Sequence, residues 1–71
     1  MTYRAAIYRH PAGSETVLTG PEHAHLPDED LLAEALAEAR RHGLIGDGWP
    51  QVPEELFRRR LYIGEWTEGV R

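Results

Sequence analysis

The run from Pro27 to Gly43, PDEDLLAEALAEARRHG, places three acids at its start and Arg40, Arg41 and His42 at its end. A helix carries partial positive charge at its N-terminus and partial negative charge at its C-terminus, so this order suits a helix at both ends at once. Leu32, Ala35, Leu36 and Ala39 recur at helical spacing and define an inward stripe, with Pro27 at the first helical position and Gly43 as the stop. Two alanines in that stripe let a helix approach a sheet closely.

The flanking segments read as strands. From Tyr3 to His10, Tyr3, Ala5 and Ile7 fall on one side and Arg4, Ala6, Tyr8 and His10 on the other. Pro11-Ala12-Gly13-Ser14 supplies turn chemistry, and Glu15 to Thr19, centred on Val17 and Leu18, completes a hairpin. Gly20-Pro21 ends it. Beyond the helix, Leu44 to Pro53 carries two glycines and two prolines and reads as an irregular connection. Pro53 to Phe57 suits a short helical turn, with acids first and arginines just after. Arg60 to Thr67 is a third strand, with Leu61 and Ile63 on one side and Arg60, Tyr62 and Trp66 on the other. Glu68 to Arg71 is expected to fray.

The order β-β-α-β over residues 1–71 predicts a single α+β domain: a three-stranded, largely antiparallel sheet with one long helix packed on one face. The opposite, open face is expected to carry Arg4, Tyr8, His10, Arg60, Tyr62 and Trp66. A register slip of one residue would exchange every side chain on it.

Composition removes several kinds of chemistry. The chain has no cysteine, and its eight basic residues are all arginine. Schiff-base and thiolate catalysis are therefore excluded, as are disulfides. Ser14 is the only serine, in a predicted turn with no cue for a general base beside it. Carboxylates are plentiful, but no two are placed by spacing to flank a substrate, so no enzyme is expected. No apolar run approaches the roughly 20 residues that cross a bilayer, and no signal-peptide core follows Met1, so the chain reads as a complete cytoplasmic protein with no membrane partner. A formal charge of −4 argues against nonspecific nucleic-acid binding.

Three groups of residues stand out as candidate surfaces. Asp30, Glu34 and Glu38 are four residues apart, stacking along one helix row about 6 Å apart. Like charges at that spacing repel, so folding alone does not favour them; a basic partner would. Tyr8, Tyr62 and Trp66, beside Arg4, Arg58 and Arg60, make an aromatic and basic sheet face suited to a partner protein or a homodimer. The same rings serve equally well as a cover over which arginines stack, and single-stranded RNA is the alternative ligand for them. Trp49, in Gly46-Asp47-Gly48-Trp49-Pro50, either plugs the gap between helix and sheet or, if exposed, anchors a partner. The pair His23 and His25 lacks a second ligand pair at a recognisable spacing, so no metal or other cofactor is expected.

The reading that joins these features is a nonenzymatic protein-binding module, regulatory or inhibitory, acting through the acidic helix row or the open sheet face. Its sharpest form is an acidic mimic of nucleic acid that occupies the basic channel of a nucleic-acid-binding enzyme, in the manner of small anti-restriction and anti-CRISPR inhibitors. The alternative is a single-stranded RNA-binding module.

Overall fold

A computed structural model describes residues 1–46, 48 and 51–68. Trp49, with Asp47 and Pro50, lies outside the described residues, so its expected role as plug or anchor is left as stated. The same holds for residues 69–71 of the expected frayed tail. The elements are β1 (Thr2–Arg9), β2 (Glu15–Val17), a 3-10 turn (Pro21–His23), α1 (Asp28–Arg41), α2 (Glu54–Arg59) and β3 (Leu61–Thr67). The sheet order is β2-β1-β3, and both pairings are antiparallel. No helix among the described residues is long and apolar enough to cross a membrane.

The hairpin closes as its residues dictate. The Gly13 amide donates to the His10 carbonyl at 2.9 Å across Pro11-Ala12, and the His10 amide donates to the Ser14 carbonyl at 2.8 Å. Gly13 has φ +103°, a conformation that favours glycine in a three-residue hairpin loop. β2 then stops early, and the ladder is finished by a side chain. The Leu18 amide bonds the Ala6 carbonyl at 2.9 Å, while the Ala6 amide donates to Thr19 Oγ1 at 3.0 Å. That bond accounts for the burial of Thr19.

α1 begins after Pro27 with Asp28, Glu29 and Asp30 in its first turn and ends with Arg40 and Arg41 in its last. Its C-terminus is a Schellman motif. The Leu44 amide bonds the Ala39 carbonyl at 2.9 Å and the Gly43 amide the Arg40 carbonyl at 3.1 Å, with Gly43 at φ +70°. The buried residues are Leu31, Ala35, Leu36 and Ala39. Leu31 therefore replaces Leu32 in the expected stripe; Leu32 is half-buried on its flank. The connection after α1 folds back on itself, pairing Ile45 with Val52 in an isolated parallel bridge.

The register decides which side of the sheet α1 covers. Tyr8 pairs with Leu61, Ala6 with Ile63 and Arg4 with Glu65, so these residues share one face. Tyr8 belongs to a buried cluster with Leu36, Ala39 and Phe57, against which Leu61 also packs. Arg4 reaches the start of α1, donating to the Ala24 and Leu26 carbonyls and pairing with Asp28. The opposite face carries Tyr3, Ala5 and Ile7 opposite Trp66, Gly64 and Tyr62. The strand alternations were read correctly, but the two half-faces were joined wrongly. Tyr8 lies on the helix side and Tyr62 and Trp66 on the far side, so the expected open face of all three does not exist.

Candidate interaction surfaces

The acidic row is less continuous than its spacing suggests. Glu38 is gripped from its own last turn: Arg41 pairs with one carboxylate oxygen, and His42 Nε2 lies 2.9 Å from the other. The Arg41 hydrogen bond, with His42 second, holds the Glu38 carboxyl below the usual glutamate range. Glu34 lies 3.8 Å from His23 Nε2, which is also 3.8 Å from Glu22. Asp30 is exposed and, with Glu29, has no ion-pair partner among the described residues. The row therefore keeps an uncompensated upper end and a neutralised lower end.

The far side of the sheet is clothed by its own rings. Gly64 sits under Tyr62, for a Cβ built there would meet the Tyr62 ring at 3.0 Å and the Ile7 terminal methyl at 3.5 Å. Across the strands, Arg9 donates to Glu15 at 3.1 Å through Nη2, its guanidinium lies 5.3 Å from the centre of the Tyr62 ring, and the Tyr62 hydroxyl donates to the same Glu15 oxygen. These bonds lower the Glu15 carboxyl, the one from Tyr62 most strongly, and raise the Tyr62 phenol. The stacking arginine is thus Arg9, which sequence reasoning did not single out. The signal was present in its position one residue from the hairpin turn, opposite Glu15. Of the arginines expected on this face, Arg4 is on the helix side and Arg58 pairs with Glu54 within α2. Trp66 remains half-buried at the far end of the face.

A third surface was not foreseen. Tyr8, Leu18, Leu44, Val52, Leu56 and Phe57 line a groove of about 590 Å³ between the hairpin turn, the connection after α1, and α2. Leu44 and Leu56, 42% and 48% exposed, belong to its walls and remain open to solvent. Besides the Tyr8 phenol, two charged or titratable side chains stand among the described lining residues: His10, hydrogen-bonded to Thr16 Oγ1 at 2.7 Å, and Arg60. Among the described residues no acid lines the groove. Arg60 has no ion-pair partner among the described residues, whereas Arg4, Arg9, Arg40, Arg41, Arg58 and Arg59 each pair with a carboxylate. The groove was missed because Leu44 lies in a segment read only as irregular, and its convergence with Leu56 depends on how that segment folds back.

Among the described residues, no group of three histidines, cysteines or acids is placed to hold a metal ion. The glutamates whose titration is displaced, Glu15, Glu38 and Glu54, all move down, Glu54 chiefly through its bond from Arg40. Ion pairing keeps such groups charged, the reverse of what a general acid requires. No family model, curated protein or solved structure matches the chain.

Proposed function

We propose that this chain is a nonenzymatic protein-binding module, and that it docks an apolar peptide segment bearing a carboxylate in the groove walled by Leu44 and Leu56. The carrying observation is that one recess combines two exposed leucines, buried aromatic flooring and Arg60, which among the described residues has no ion-pair partner, and that no acid stands among its described lining residues. Apolar side chains would supply contact area, and Arg60, aided by His10, would favour an acidic residue among them. A pocket of this character is the usual form of a small recognition site.

Two sharper readings have less to stand on. An acidic nucleic-acid mimic needs a continuous row of free carboxylates, and Glu38 is already held by Arg41 and His42. A single-stranded RNA platform needs its rings on one side, and Tyr8 is separated from Tyr62 and Trp66 by the sheet. The groove is instead compatible with a regulatory or inhibitory role exerted through protein contact.

Selection of displayed random peptides on the folded protein tests the reading. Enrichment of sequences mixing apolar residues with Asp or Glu is expected, and their binding should be lost in Leu44→Asp and Leu56→Asp. No enrichment, or enriched peptides that ignore both substitutions, would refute it.

A further inference from the structure

β3 is an edge strand, with no further strand beyond it among the described residues. The pairings of Tyr62, Gly64 and Trp66 with Ile7, Ala5 and Tyr3 fix its register, and the flanking bonds from the Arg9 amide to the Arg60 carbonyl and from the Glu68 amide to the Met1 carbonyl show which backbone groups face inward. Hydrogen-bonded positions alternate along an antiparallel ladder. Even-numbered residues of β3 therefore bond to β1, and the N–H and C=O groups of Leu61, Ile63, Glu65 and Thr67 point away from it. None of these groups bonds to another described backbone group outside the sheet. Of the devices that usually protect an edge, it carries one charged side chain, Glu65, and no proline or bulge. Residues of β3 are half-buried or exposed throughout, whereas the central strand β1 contains five buried residues.

We infer that this edge pairs with the same edge of a second copy, joining two chains antiparallel through β3 about a two-fold axis at Gly64. One register satisfies every outward group: Leu61 opposite the second copy's Thr67, and Ile63 opposite its Glu65. The side chains support the same register independently. On the far face it sets Tyr62 opposite the second copy's Trp66, and at the axis it sets Gly64 against its own copy, where the absence of Cβ permits the close spacing of a non-hydrogen-bonded pair. It also brings the basic start of the strand, at Arg60, beside the acidic end of the other strand, at Glu68. Arg60, Glu65 and Glu68 all lack ion-pair partners within the chain among the described residues. A slip of one pair in either direction leaves outward groups unpaired and moves glycine off the axis. The product is two three-stranded sheets fused into one of six, with both copies of α1 on the same side.

Sedimentation over a concentration series, combined with Glu65→Pro, tests this. The Glu65 amide points outward, so proline there removes a bond between copies and none within the chain. Doubling of the mass in the wild type, with a folded monomer in Glu65→Pro, is expected. Amide exchange supplies a readout on the wild type alone: Leu61, Ile63, Glu65 and Thr67 should become protected as concentration rises. A wild type that stays monomeric, a dimer that persists in folded Glu65→Pro, or outward amides whose exchange ignores concentration would each overturn the inference. Leu44 and Leu56 lie outside β3, so loss of peptide binding in their aspartate variants and loss of dimerisation in Glu65→Pro are separate readouts.

Discussion

The ring of Tyr8 lies flat on that of Phe57, with centroids 4.2 Å apart and planes 10° from parallel. This stack joins the central strand to α2, two elements almost fifty positions apart in sequence, and it anchors the cluster that includes Leu36 and Ala39. Phe57 is 1% exposed, so its removal leaves a void as well as lost contact.

Phe57→Ala should therefore cost about 3–5 kcal/mol, comparable with the whole stability of a domain this small. Urea unfolding followed by circular dichroism should show a variant largely unfolded in water, with Phe57→Leu intermediate. A midpoint unchanged in Phe57→Ala would show that the stack does not hold the fold.

Gly43 closes α1 at φ +70°. Nothing lies within 4 Å of a Cβ built there, so the penalty for Gly43→Ala is conformational rather than steric, about 1 kcal/mol. Gly43→Asn should lose less, because asparagine tolerates this conformation. Thermal melts of the two variants compare them directly.

Acid should destabilise the protein through Glu15, Glu38 and Glu54. Each carboxyl is held below its ordinary value, Glu15 first by Tyr62, Glu38 first by Arg41 and Glu54 first by Arg40. Stability from such groups is complete above their unfolded values and disappears as pH falls through their folded ones. The melting temperature should decline across the acidic carboxylate range, less steeply in the triple glutamine variant. At the alkaline end the sign reverses for Tyr62. Its phenol is raised by the bond to Glu15, so that contribution is intact below the ordinary tyrosine value and lost as pH climbs through the raised one. Absorbance titration against Tyr62→Phe isolates the phenol.

Leu44→Asp and Leu56→Asp should change stability by no more than about 0.5 kcal/mol, since both side chains are substantially exposed. The same substitutions should abolish peptide binding in the groove. Denaturation and binding measured on the same preparations separate lost recognition from lost folding, and a large fall in stability would reassign both leucines to the core.

The helix from Asp28 and its stop at Gly43 were legible because charge order, apolar spacing and terminator agreed. The hairpin was equally plain from Pro11 to Ser14. Tyr8 was misplaced for a physical reason: Ala5, Ala6, Ile7 and Tyr8 are all buried, so in this central strand burial follows no alternation that could reveal which side meets the helix. Leu31 and Leu32 both fit helical spacing with Ala35 and Ala39, and only contact with the sheet chose between them. The acidic row was visible as a pattern, and so was its limit, for Arg41 and His42 follow Glu38 by three and four residues, the spacing at which helical side chains pair. The groove and the β3 edge arise from elements distant in sequence, and neither leaves a local motif.

The contacts of α1 differ along its length. Near Asp28 the rod is tethered by Arg4 through ionic and carbonyl contacts, while toward Ala39 it rests on rings and aliphatic carbon, with fully enclosed alanines at positions 35 and 39 keeping it close. Solutes can thus loosen the two ends separately. Salt, by screening the pair of Arg4 with Asp28, should loosen the leading turn while the trailing half stays seated, and truncation of the greasy end should do the opposite. Partial opening of this protein has a direction, set by which kind of force holds each end.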